Sequence, residues 1–195
     1  MNRMLPVLAL SCAISSAYAG DFNYNFVEGA LITNDIEDAD TTFGLKGSYD
    51  VATNVNIVGS FFSTGLPDVN GVDVSLSSFS IGLGYHKPMS EKTDFVGDIQ
   101  YINYDIDLSQ GNAFASVDVG DGFGVNAGIR HSFSEKFEGE ASVNYIDLDF
   151  DNLGSGSDTS FSATGRYLFT DNVSASLGFS TADDSDVMAA LRYSF

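Results

Sequence analysis

Charged residues recur at alternate positions along this chain, and in an extended strand that spacing gathers them on one face. Strand parity puts Lys46, Arg130, Arg166 and Arg192 on the polar face, and Glu28, Asp98, Glu138 and Glu140 share it if Phe22, Tyr24 and Phe26 point the same way. Eight charges of both signs on an enclosed face can pair as a structural ionic network, because a buried charge without a partner is strongly destabilising. The same set can instead line a constriction that selects ions. A second group is purely acidic: Asp105, Asp107 and Asp118, followed by Asp147, Asp149 and Asp151. Clustered carboxylates suit Ca²⁺ or Mg²⁺, which take oxygen ligands. Carboxylates two apart on a strand project together but do not by themselves cage an ion, so a solvated acidic rim is the competing reading.

Catalytic patterns are poor. His86 and His131 both sit beside short turns, with Asp94 and Glu138 as neighbours, and the spacing builds no Ser/His/Asp constellation. No phosphate-binding loop or metal-spacing motif occurs. A formal net charge of -19 opposes nucleic-acid binding. The expectation is a non-enzymatic protein without a resident cofactor, apart from weakly bound Ca²⁺ or Mg²⁺ at the acidic rim.

The elements that position these residues are strands. Val173, Ala175, Leu177 and Phe179 alternate with Ser174, Ser176, Gly178 and Ser180, and Phe79, Ile81, Leu83 and Tyr85 alternate with Ser80, Gly82, Gly84 and His86. Phe161 to Phe169 and Phe43 to Tyr49 repeat the pattern. The interior set is too small, too polar and too often charged for a soluble core, which favours a membrane barrel over a soluble periplasmic sandwich. Four turns follow one design, and their leading glycines, Gly47, Gly84, Gly128 and Gly165, lie 37, 44 and 37 residues apart. That is a hairpin repeat. With polar loops near 34–40, 65–71, 109–112, 151–157 and 182–184, it gives an all-β, closed, antiparallel, up-and-down transmembrane barrel of ten strands, or eight if one weak pair is overcounted. Ten strands enclose little more than the eight that side chains can fill, which argues against a wide pore.

The ends of the chain agree. Arg3, the apolar run from Met4 to Ile14 and the small-x-small pattern Ala17-Tyr18-Ala19 read as a Sec signal peptide, residues 1–19, leaving 20–195 as the barrel. Cys12, the one cysteine, falls inside that leader, and Ala9-Leu10-Ser11 before it lacks the leucine of a lipidation site. At the other end Val187, Ala189, Leu191, Tyr193 and Phe195 form an alternating apolar series that finishes on a terminal phenylalanine. Leu191, Tyr193 and Phe195 look like the signal read by outer-membrane barrel assembly machinery. The basic residues beyond the leader, Lys46, Lys87, Lys92, Arg130, Lys136, Arg166 and Arg192, lie in the halves of strands near the short turns or termini, whereas the opposite ends carry Asp and Glu. Charge is thus polarised along the axis, with an acidic outer rim facing lipid and lipopolysaccharide, whose phosphates divalent ions would bridge.

Several motifs resemble a known family: Tyr24-Asn25-Phe26-Val27-Glu28-Gly29, Gly44-Leu45-Lys46-Gly47-Ser48, Gly82-Leu83-Gly84-Tyr85 before Thr93-Asp94, and Phe137-Glu138-Gly139. The chain is similar to the small outer-membrane barrels of xanthomonads and related Gram-negative bacteria, a quorum-associated family with OmpA/OmpX-like architecture, also once proposed as a secreted immunity elicitor. Ala30-Leu31 departs from the Gly-Tyr expected after the first motif. The resemblance implies an integral outer-membrane location. It supplies no residue for a signalling role. Two expectations follow for function. One is a structural or surface-interaction protein acting through acidic external loops, helped by long fifth and sixth strands from Thr93 to Leu108 and from about Phe114 to His131. The alternative is a narrow, porin-like channel for ions or small solutes.

Overall fold

Period-two alternation closes into a barrel. In the computed structural model, which describes residues 22–33, 41–69, 71–150, 154–182 and 186–195, ten antiparallel strands form one closed sheet. They are β1 (Phe26–Ile32), β2 (Thr42–Ala52), β3 (Val55–Val69), β4 (Val72–Ser90), β5 (Thr93–Gln110), β6 (Ala113–Ser134), β7 (Phe137–Phe150), β8 (Gly154–Leu168), β9 (Val173–Ser180) and β10 (Asp186–Ser194). Each strand pairs with its sequence neighbours, and β1 pairs with β10 from Phe26↔Ser194 to Ile32↔Met188 to complete the ring. Closure satisfies the ladder of every strand that crosses the apolar belt, as a lipid environment demands. Ten strands replace the eight-strand alternative.

The outer face of the sheet is apolar: Leu45, Ile57, Phe79, Ile81, Leu83, Ile99, Phe161, Leu177 and Leu191 are all exposed. Aromatic rings gather at its lower margin, where Phe133 meets Phe137, Tyr167 meets Phe169 and Tyr193 meets Phe195. Polar side chains fill the interior instead. This is the inside-out arrangement of a barrel solvated by lipid.

The strands differ greatly in length. β1, β9 and β10 have 7, 8 and 9 residues, near the ~9–11 that cross a bilayer, whereas β4, β5 and β6 have 19, 18 and 22. The segment 65–71, expected as a loop, is mostly strand: β3 runs to Val69 and β4 restarts at Val72 around Gly71, whose φ of 76° suits glycine. Pro67 is accommodated because the register shifts between Leu66 and Val69, a bulge that frees a position without a ladder donor. The 109–112 loop likewise shrinks to a tight turn at Gly111, φ 61°, and residues 154–157 belong to β8. A four-stranded ribbon, β3 to β6, therefore stands above the barrel, rather than the β5–β6 hairpin alone.

Candidate functional site

Where the ribbon leaves the barrel, the alternation changes phase. In β5 the outward positions run Phe95, Ile99 and Tyr101, then Asn103, Asp105 and Asp107. The inward positions of the same strand run Asp98 and Gln100, then Ile102, Tyr104, Ile106 and Leu108. β7 repeats the exchange, with Val143 and Tyr145 giving way outward to Asp147 and Asp149, and Ser142 and Asn144 giving way inward to Ile146, Leu148 and Phe150. Below the switch the surroundings are lipid, so apolar side chains point out; above it they are water, so apolar side chains point in. The switch marks the outer boundary of the apolar belt.

Inside the barrel the contents form layers. At the lower end, a cavity of about 570 Å³ opens between the short turns and is floored by Arg130, Glu138, Arg166 and Arg192. Glu28 Oε2 accepts from Arg192 Nε at 2.8 Å and Arg166 Nη2 at 3.2 Å, and Arg130 pairs with Glu138. Arg192 also lies 3.6 Å over the Phe26 ring, and Arg130 lies 5.0 Å over Phe22. Cations stacked on aromatic faces gain attraction that grows with desolvation. Of the eight charges expected on the inner face, Glu28, Arg130, Glu138, Arg166 and Arg192 are joined by these ion pairs. Lys46 and Asp98 lie higher and are buried; Asp98 accepts from Gln100 Nε2 at 2.6 Å, while Lys46 Nζ has no hydrogen-bond partner. Glu140, half-buried, faces Arg130 across the β6–β7 pair.

A belt of hydroxyls and amides lies next, and sequence reasoning did not single it out. Ser60 shares a hydrogen bond of 2.6 Å with Ser80, which donates to Gln100 Oε1 at 2.7 Å. Asn56 donates to Ser48, Asn126 to Asn144, and Asn144 to Ser162, which also bonds Ser142. Thr42 and Thr64 pair at 2.6 Å. Hydrogen bonding is what makes burial of these groups tolerable. The belt was detectable as Ser, Asn or Gln on cross-strand inward positions.

Above it comes an apolar layer that corrects the expectation of an interior too polar to form a core. Ile102, Tyr104, Ile146, Leu148 and Ala182 are fully buried together, with Leu76, Val119 and Phe150 packed against them. Ala30, Ile32, Phe62, Met188 and Ala190 form a second cluster beside the short strands. Between the two ends, a void lined by Tyr24, Phe26, Lys46 and Asp98 has only about 10 Å³. Above the lower cavity the described side chains pack into the hydroxyl and amide belt and these two apolar clusters.

The histidines are separated by the sheet. His86 points inward and stacks on Tyr24 with ring centroids 3.3 Å apart, and Tyr24 donates to Asp94 Oδ2 at 3.1 Å. His131 instead shares a hydrogen bond with Thr93 at 2.9 Å and meets the Phe133 ring edge-on. Among the described residues the contacts of both rings are local packing and, for His131, this one hydrogen bond.

The described rim carboxylates lie on the outer face of the sheet above the switch, on β5, β6 and β7. Asp105 pairs in register with Asp118 and with Ser77, and Asn103 Nδ2 donates to Asp118 Oδ2 at 3.0 Å. Ser77 donates to Asp107 Oδ2 at 2.7 Å. Desolvation, then repulsion from Asp118 and Asp107, raises the Asp105 pKa above its ordinary 3.8. Asp147 accepts from Tyr145 and Asp149 pairs with Asp121, one strand further on, while Asp151 falls outside the described residues. Among the described residues no group of three or more acidic or histidine side chains is arranged to hold a metal ion. At the closing strand Leu191, Tyr193 and Phe195 all face outward, and the Phe195 amide donates to the Asn25 carbonyl at 3.0 Å.

Comparison with known proteins places this geometry in context. A family model described as outer membrane protein beta-barrel domain matches residues 5–153. No curated protein matches. Solved structures similar to the chain include Ail, the attachment invasion locus protein of Yersinia pestis, at 16% identity, covering 88% of this chain and 97% of that one with a TM-score of 0.41. Neisserial surface protein A is 10% identical, with 87% and 94% covered and a TM-score of 0.47. The NanC porin is 10% identical, with 88% and 98% covered and a TM-score of 0.46.

Proposed function

Since the chain belongs to the outer-membrane β-barrel family, we propose that it is a sealed barrel that holds an interaction sheet above the outer membrane, rather than a pore or an enzyme. The observation that carries this reading is the phase switch. Above it the ribbon has one acidic face and one apolar face and projects beyond the belt, while the apolar layer fills the interior at the same level. A filled, dry layer opposes ion passage, because an unsolvated ion there loses its hydration without recovering it. The ionic floor and amide belt then serve to fill and fix the barrel.

On this reading residues 1–19 are the Sec leader, and Leu191, Tyr193 and Phe195 form the terminal signal for the assembly machinery. Deleting Phe195 leaves export intact and impairs insertion, measured by heat-dependent gel migration of outer-membrane fractions; normal assembly of the truncated chain refutes the assignment. The rim carboxylates stand at the level of lipopolysaccharide phosphates, with Ca²⁺ or Mg²⁺ as a weak bridge. The xanthomonad resemblance is consistent with this location and carries no signalling residue. The direct test shortens the chain between Asn103 and Val119 while keeping the barrel intact. Attachment to cells and lipopolysaccharide surfaces is expected to fall; unchanged attachment overturns the interaction role.

A further inference from the structure

The cavity at the lower end of the barrel has a wall more cationic than the interior behind it. Arg130 on β6, Arg166 on β8 and Arg192 on β10 come from alternate strands, and all three reach the cavity although each is buried. Among the described residues Glu138 is the one buried carboxylate on that wall, whereas Glu28, Asp94, Asp98 and Glu140 do not line it. In the ion pairs of the floor, three guanidiniums share two carboxylates, Glu28 and Glu138. The rings of Phe22 and Phe26 cover one face each of Arg130 and Arg192, so further hydrogen bonds leave through the guanidinium edges. Arg166 Nε is buried without a hydrogen-bond partner. A charged donor left over beside an open cavity is complementary to an anion.

The mouth has the opposite bias. Glu91, Glu135 and Asp171, in the β4–β5, β6–β7 and β8–β9 turns, are exposed around it, and Lys92 is the one basic residue lining it there among the described residues. Short turns of outer-membrane barrels face the periplasm. We propose that the cavity is a binding site for a small zwitterion of the amino-acid or short-peptide kind, entering from the periplasm, with its carboxylate on Arg130, Arg166 and Arg192 and its ammonium among Glu91, Glu135 and Asp171. A volume of about 570 Å³ lies within the range of small-molecule sites. A planar carboxylate matches the guanidinium fork, and a monoanion answers the one positive charge that three guanidiniums keep over two carboxylates in those ion pairs. The site lies at the opposite end of the molecule from the ribbon, and it stands or falls independently of the surface role.

Two other anions fit less well. A lipid headgroup seated on the arginines would have to lead its acyl chains out through the barrel wall, and the closed ladder from β6 to β10 leaves no gap for them. Inorganic phosphate would leave most of the volume empty and the acidic mouth unanswered, and its second charge would exceed what the floor can balance.

The test uses the full barrel in lipid nanodiscs and N-acetyl-lysyl-glycine, which carries one carboxylate and one ammonium. Controls are its C-terminal amide, N-acetyl-norleucyl-glycine and inorganic phosphate. Titration followed by NMR should shift the guanidinium signals of Arg130, Arg166 and Arg192 and the Ser174 amide, with ribbon amides unchanged. The amide should bind about tenfold more weakly or worse, and the norleucine peptide should lose less. Glu91→Gln, Glu135→Gln and Asp171→Asn combined should leave heat-dependent gel migration unchanged and abolish the preference for lysine over norleucine, while the need for the carboxylate persists. Arg166→Lys keeps the charge but loses the fork, and should weaken probe binding about tenfold. Equal binding of probe and amide, phosphate bound as tightly as the probe, or shifts confined to the ribbon overturns the proposal. So does a probe that shifts none of these signals at about 10 mM. The combined variant alters exposed turns alone, so its result decides the matter even if Arg166→Lys fails to fold.

Discussion

Glu28 and Asp118 are carboxylates on strands of the same sheet, yet the protein treats their charge in opposite ways. Glu28 is 2% exposed and is clamped by two guanidiniums, whereas Asp118 stands exposed beside Asp105 and accepts from the Asn103 side-chain amide and the Gly120 backbone N–H, neither of them charged. In the enclosed interior an unpaired charge keeps its full desolvation cost, so the floor is composed of matched signs. On the ribbon, water screens like charges and allows them to accumulate. The contrast separates what holds the barrel together from what is left free to meet a partner.

The largest effect that separates the two regions comes from neutralising each carboxylate. Glu28→Gln strands Arg166 and Arg192 in the interior and should cost ~3–5 kcal/mol in urea unfolding from lipid vesicles, while Asp118→Asn should stay within about 0.5 kcal/mol. Equal losses would erase the distinction. A double-mutant cycle sharpens it: Arg130→Met alone leaves Glu138 buried without its partner, and Arg130→Met with Glu138→Met should recover most of a loss of about 3 kcal/mol. Additive losses would mean that the pair does not act as a unit.

The smallest effect is a pH dependence confined to the ribbon. Because the folded pKa of Asp105 lies above its ordinary 3.8, its ionised form costs stability at neutral pH. That cost is relieved as pH falls through the raised value, and the relief is complete below 3.8, where the carboxyl is protonated in both states. Ser77 from β4 and Asp118 from β6 are its cross-strand neighbours, with Asp107 two positions along. Exchange protection of the ribbon, corrected for intrinsic rates, should therefore rise on acidification, and Asp105→Asn should flatten the response. A fall in protection with acid would reverse the sign assigned here.

Sequence reasoning reached the barrel because lipid imposes one rule on every crossing strand. Alternation such as Phe79, Ile81, Leu83 and Tyr85 fixes which side faces out, and parity then carries Arg130, Arg166 and Arg192 inward. It failed where that rule changes. Ile102, Tyr104, Ile146 and Leu148 occupy inward positions and break the apolar-out pattern, so they read as noise instead of as a core. Pro67 and the neighbouring glycines suggested a loop, since a bulge that tolerates proline has no signature distinct from a turn. Which carboxylate meets which arginine depends on strand tilt and register around the ring, quantities that spacing within one strand does not contain. The Asp105–Asp118 juxtaposition was nearer to hand, because a tight turn at Gly111 sets the pairing of β5 with β6 directly.

We propose a barrel plugged by its own side chains, with the outward sheet left to meet a partner. Planar-bilayer recording of the purified protein across a wide range of salt and voltage tests it most directly. No discrete conductance is expected of the native chain; reproducible single-channel steps would contradict a plugged interior and make the ionic floor a selectivity element.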